Sequence, residues 1–169
     1  MPNIQNSIVT VVGKKGTGKT SRIKEMLIQN KYDQIFVLDF LYEYQKYASD
    51  TTCVSHDPRE IADFCKSSWE KCKTNIKSVM VLDEIHLYGK NDFDINFVYR
   101  CARHANLDVI ASAQRFYDLP VIVRSQTNRY DVFQITEPRD LEYLAKVVSA
   151  NILGTIQNLQ TLKYLQLVI

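Results

Sequence analysis

Eight residues near the start of the chain, Gly13-Lys14-Lys15-Gly16-Thr17-Gly18-Lys19-Thr20, have the types and the spacing to hold a chain of phosphates. The glycines let the backbone fold tightly, so that successive N–H groups point at one set of oxygens. A helix that starts at the end of the run adds the positive end of its dipole. Lys19 adds a charge able to reach β- and γ-phosphates, and the Thr20 hydroxyl is a ligand for Mg²⁺. The run fits the pattern G-x-x-x-x-G-K-[ST] without a mismatch. It lies between a β-branched apolar run (SIVTVV, residues 7–12) and a helical stretch through Arg22, Ile23, Met26 and Leu27. That context, strand then loop then helix, is the one a nucleotide-binding P-loop needs.

A second chemical signal is Asp83-Glu84, which closes the apolar run Val79-Met80-Val81-Leu82. A carboxylate at a strand tip is placed to hold Mg²⁺, and the glutamate after it is placed to polarise an attacking water as general base. By itself an acidic pair only caps a turn; together with the loop at Gly13 it points to hydrolysis of a bound nucleoside triphosphate. Gln114 ends a further apolar run (LDVIASA, residues 107–113) and could sense the γ-phosphate or orient the water.

These residues need a scaffold that brings several strand tips to one edge. Apolar runs at residues 34–40, 78–82, 107–113 and 129–135 read as further strands, with a terminal one at 164–169. Between them come a helix opened by Asp57-Pro58-Arg59-Glu60, one opened by Asn91-Asp92, and one following Thr136-Glu137-Pro138. Strands alternating with helices predict an α/β domain with a mainly parallel central sheet, in which ligands lie at the carboxyl ends of the strands. The 169 residues suit a single P-loop NTPase domain.

Composition narrows the class. Hydrophobic residues make up 46% and charged residues 24%, an ordinary globular mixture. The net charge of +2 is too small to argue for nucleic acid by itself. The N-terminal residues have no basic, apolar signal-peptide pattern, and no apolar run is long enough to span a bilayer, so a soluble intracellular protein without direct membrane insertion is expected. Cys53, Cys65, Cys72 and Cys101 form no C-x-x-C pair and read as free thiols in a reducing compartment.

Most of the chain resembles the FtsK–HerA superfamily of ring-forming, DNA-pumping ATPases. Beside the P-loop and Asp83-Glu84, the carrying residues are Ala102-Arg103-His104, the run from Asp108 to Arg115, Arg124-Ser125-Gln126-Thr127-Asn128, and Ile135-Thr136-Glu137-Pro138-Arg139-Asp140-Leu141-Glu142-Tyr143. The last is most like the HerA branch, and the short length resembles the minimal viral genome-packaging ATPases. The resemblance implies a three-layer RecA-like (ASCE) fold and an ATP- and Mg²⁺-dependent motor on double-stranded DNA, pumping a viral genome into a procapsid. It implies a homo-hexameric ring, capsid or portal/vertex partners, and residence in the host cytoplasm or on the virion. It assigns phosphate and magnesium binding to Lys19 and Thr20, magnesium and base to Asp83 and Glu84, and the sensor to Gln114. Arg103 is the first candidate for an arginine supplied by a neighbouring subunit, with Arg100, Arg124 and Arg129 as others. Phe116-Tyr117 departs from the pattern, since many relatives place a proline there. In a ring, the segment 87–91 with Lys90 would face the pore. Two other readings stay open on the residues alone: a small nucleoside or nucleotide kinase, and a nucleotide-controlled assembly or secretion protein of the Zot type.

Overall fold

A computed structural model describes residues 6–47, 52–55, 60, 63, 76–87, 93–104, 106–147 and 149–168. Strand β1 (Ile8–Val12) is buried along its whole length, as is β4 (Ser78–Leu82). Strands so apolar must be covered on both faces. With β2 (Gln34–Leu38), β3 (Thr52–Ser55), β5 (Leu107–Ala113), β6 (Arg129–Val132) and β7 (Leu165–Val168), they form one seven-stranded sheet in the order β3-β2-β4-β5-β1-β6-β7. The first six run parallel, and β7 pairs antiparallel with β6 at the edge.

Alternation along each strand sends residues to opposite faces. Val9 and Val11 of β1, with Val79 and Val81 of β4, pack with Ile23, Met26 and Leu27 of helix α1 (Lys19–Asn30). Ile8 and Val12 belong to the other face, with Val98 and Tyr99 of α2 (Phe93–Cys101), Val123 of α3 (Val121–Gln126) and Leu141 and Leu144 of α4 (Pro138–Val147). The short α5 (Leu153–Gln157) adds Ile156 to that face. The result is the helix–sheet–helix arrangement expected for a mainly parallel α/β P-loop fold. Each fully buried aliphatic side chain contributes about 1.5–3 kcal/mol, so α1 is held chiefly by Ile23, Met26 and Leu27. A core-facing stripe, rather than a cap, fixes its direction.

Strand β5 lies between the loop-bearing β1 and the Asp83-bearing β4, with Thr10↔Ala111 on one side and Leu82↔Ala111 on the other. Three functional strand tips are therefore neighbours. Two sequence expectations are shortened: β2 ends at Leu38 rather than at residue 40, and β6 at Val132 rather than at 135. Beyond Val132 the N–H of Lys14 donates to the carbonyl of Gln134 at 3.2 Å, so this segment serves the phosphate loop instead of the ladder. The sequence reading did not anticipate β3 or α3. Val121-Ile122-Val123 is β-branched and reads as strand, but Pro120 starts a helical turn there and Val123 is drawn into the core. Of the helix expected from Asp57 to Cys72 only Glu60 and Asp63 are described, both helical, and the side chains of all four cysteines lie outside the described atoms. Among those described, no helix is long and apolar enough to cross a membrane.

Candidate nucleotide site

The loop between β1 and α1 is built around its glycines. Gly16 and Gly18 have φ of +78° and +110°, a region costly for residues with a Cβ. A Cβ on Gly13 would lie 2.5 Å from the Cβ of Phe133, so only glycine lets the loop leave β1 against the end of β6. The Thr17 hydroxyl donates to the carbonyl of Lys14 at 2.8 Å and closes the turn. Gly18 caps α1 without a side-chain hydrogen bond, which leaves the first N–H groups of the helix available to an anion.

Lys19 is buried at the head of α1, and its Nζ donates to the Lys14 carbonyl at 3.3 Å. Burial lowers its pKa, opposed by the charges of Glu84, Asp83 and Glu43. Thr20 Oγ1 donates to Glu43 Oε2 at 3.0 Å. Glu43 is held there by Asp39 at the end of β2, whose carboxylate accepts the N–H groups of Glu43 and Tyr44 at 3.0 and 2.8 Å.

Asp83 and Glu84 follow β4, both buried. Ser112, on the adjacent β5, donates its hydroxyl to Asp83 Oδ1 and accepts the N–H of Glu84 at 2.9 Å. Burial raises the Asp83 carboxyl to about 6; the bond from Ser112 acts the other way, and Glu84 adds to the rise. The second oxygen of Asp83, Oδ2, is buried without a hydrogen-bond partner. Glu84 takes φ +50°, a strained conformation for a glutamate and of the kind retained at working sites. Its Oε2 accepts from Gln114 Nε2 at 3.4 Å and lies 3.2 Å from His86 Nδ1.

Lys19, Thr20, Glu84 and Gln114 line one cavity of about 500 Å³ together with Lys15, Gly16 and Gly18. The structure thus brings together the loop, Glu84 and Gln114, while Asp83 is buried next to Glu84 and does not itself line the cavity. A buried carboxylate oxygen without a partner, a threonine hydroxyl and a nearby second carboxylate form a hard-oxygen donor set that fits magnesium, which takes one or two protein carboxylates and leaves its other positions to phosphates and water. Lys14 and Thr17 act through backbone and loop closure, and Lys15 is exposed at the rim.

The candidate arginines are not gathered at the site. Arg103 stands in the 3-10 turn Ala102–His104 after α2, and its side chain lies outside the described atoms. Arg100 is exposed beside a second cavity between α2 and α3. The Arg124 guanidinium stacks over Tyr143 at 5.2 Å, and Arg129 is paired with buried Asp131 at 3.2 Å, so both are engaged within their own chain. Lys90 lies outside the described residues. Phe116, at the departure from the proline pattern, is fully buried between Tyr130 and Tyr143 at 5.1 and 5.7 Å, an aromatic anchor for the segment after Gln114. Ser112, Glu43 and His86 had no assigned role in the sequence reading. Their roles depend on strand register and on the fold of the segment after β2, which no local pattern displays.

The fold and the site together define a P-loop ATPase fold of the α/β class. Comparison with family profiles and with curated proteins finds no match. Among solved structures, the chain is similar to the genome packaging NTPase B204 from Sulfolobus turreted icosahedral virus 2 in complex with AMPPCP. The two are 27% identical with a TM-score of 0.79, over 95% of this chain and 91% of that one. It is also similar to the DNA-packaging ATPase B204 from Sulfolobus Turreted Icosahedral Virus, with 25% identity and a TM-score of 0.76 over 95% and 91% of the two chains. The pCW3 conjugation coupling protein TcpA, at 11% identity and a TM-score of 0.66 over 98% of this chain and 60% of that one, shares the fold. The resemblance read from the sequence therefore has its counterpart in structure: the neighbours include the viral genome-packaging NTPase B204.

Proposed function

We propose that this chain is an ATP-hydrolysing motor that moves double-stranded DNA, acting as a viral genome-packaging ATPase. The observation that carries the reading is the likeness to packaging NTPases over nearly the full length of both chains. The joined Glu84–Gln114 pair in the phosphate cavity supplies the chemistry.

The N–H groups of residues 13–20 cradle the β- and γ-phosphates, and Lys19 exchanges its bond to the Lys14 carbonyl for phosphate oxygens. Thr20 and Asp83 would hold Mg²⁺, which when bound neutralises charge on the β- and γ-phosphates. Glu84 accepts the proton of a water that attacks the γ-phosphorus. The bond to the β–γ bridging oxygen breaks, giving ADP and inorganic phosphate. Gln114 holds the Glu84 carboxylate and, being attached to β5, registers whether the γ-phosphate is present. Arg103 of a neighbouring subunit in a homo-hexameric ring stabilises charge in the transition state. Capsid or vertex proteins would recruit such a ring, working in the host cytoplasm or on the virion.

The test is ATP hydrolysis measured against protein concentration, with and without double-stranded DNA, beside Arg103→Ala. Turnover per chain should rise steeply with concentration, increase with DNA of any sequence in a salt-sensitive way, and collapse in the variant. Turnover strictly proportional to protein and indifferent to DNA and to Arg103 would replace the motor by a phosphotransferase or a nucleotide switch.

A further inference from the structure

Leu162 precedes β7 and lies at the same cavity as Lys19 and Thr20. It is out of place by ordinary rules. Its side chain is 63% exposed, and its backbone takes φ +66°, which a leucine adopts only against steric resistance. Two contacts hold it there. Its N–H donates to the carbonyl of Thr17 at 2.9 Å, and its Cδ2 comes so close to Gly18 that a Cβ on that glycine would meet it at 2.7 Å. Tyr164, two residues on, packs on Phe133 at 5.4 Å beneath the Arg22 guanidinium, which anchors the segment to β6 and α1. Backbone strain of this kind persists where the surrounding structure holds a residue in place, and it clusters at ligand sites.

The strand order says which part of the occupant reaches it. Glu84 follows β4 and Gln114 follows β5, on one side of β1. Leu162 leads into β7, on the other side, at the carboxyl end of β6 where Leu165 pairs with Val132. A triphosphate lying across the tip of β1 with its γ-phosphate toward Glu84 and Gln114 therefore directs its nucleoside toward β6 and β7.

We infer that Leu162 is the nucleoside-binding residue of this site, its side chain forming the apolar wall against which the base and ribose lie. The inference rests on the nucleotide-site reading above. An aliphatic wall offers area and no hydrogen-bonding edge, so it takes a nucleoside without selecting among bases. The tie from Leu162 to Thr17 also joins this wall to the loop that holds the phosphates, so the two halves of the ligand are gripped by one rigid unit.

Two probes separate the wall from the phosphate cradle: ATP, and inorganic tripolyphosphate, which has the phosphates and no nucleoside. Both are titrated calorimetrically in the presence of magnesium into the full chain and into Leu162→Gly. Glycine adopts φ +66° without strain and keeps its N–H, so the loop tie survives the substitution. We expect ATP affinity to fall about tenfold in Leu162→Gly, the effect of losing one well-placed aliphatic contact, while tripolyphosphate affinity stays within about twofold. Leu162→Met, which restores apolar area, should return ATP affinity. If ATP binding is unchanged in Leu162→Gly, or if both probes weaken together, Leu162 is a prop for the loop and the inference is overturned while the nucleotide site stands. If the unaltered chain binds neither probe, the nucleotide-site reading fails and takes the inference with it.

Discussion

Asp83 stands where burial disfavours its charge. Burial lifts its carboxyl from 3.8 to about 6, and one of its oxygens has no hydrogen-bond partner. A raised carboxyl pKa opposes folding once the group ionises: the penalty is absent below about 3.8, grows between the two values, and is complete above about 6. In nucleotide-free, magnesium-free protein, Asp83→Asn should therefore raise stability at pH 7, by about 2–3 kcal/mol at most, and by little at pH 4. Denaturant melts at the two pH values check this; an equal effect at both would mean that ionisation is not the source. The same variant should lose magnesium-dependent nucleotide affinity. Legibility differs sharply between residues here. Asp83, Glu84, Lys19 and Thr20 are singled out by type and spacing alone. Ser112 does not, because a buried serine becomes the partner of Asp83 only when the register Leu82↔Ala111 sets the two tips side by side.

At the scale of elements, the phosphate loop is shaped by two different demands on its glycines. Gly13 meets a steric wall at Phe133, whereas Gly16 has nothing within 4 Å and needs glycine only for its φ of +78°. Gly13→Ala must displace backbone, and should cost about 1–3 kcal/mol and most of the ATP affinity. Gly16→Ala should cost about 1–2 kcal/mol from its dihedral alone and keep measurable binding. Thermal melts and ATP titration of the pair would reveal the ordering, and a reversed order would sink this account of the loop. The element pattern was legible where an apolar run met a clear stop, as in β1, β4 and β5. It was not legible for α3, whose β-branched residues suit a strand locally and become helical because Pro120 and the pocket for Val123 decide otherwise. Nor was it legible for β3, four residues whose partner is β2.

At the scale of the whole molecule, ligand binding should report on the entire sheet, because the site is contributed by segments attached to β1, β2, β4, β5 and β7. ATP with magnesium at a hundred times its dissociation constant should stabilise the fold by about 2.7 kcal/mol. We expect the thermal shift in the unaltered chain and in Glu84→Gln, whose turnover is lost while binding persists, and none in Lys19→Ala. Normal turnover in Glu84→Gln would remove the glutamate from its role as base. The architecture also imposes an order in time. The strand that carries the phosphate loop has no sequence-adjacent partner: β1 lies between β5 and β6, with Ile8 opposite Val109 and Val9 opposite Arg129. Ribosomes add about 5–20 residues per second, so the loop exists as bare chain for several seconds before either neighbour has been made. A nascent chain in which β5 and β6 have not yet been made therefore lacks both of the strands between which the loop-bearing β1 is held.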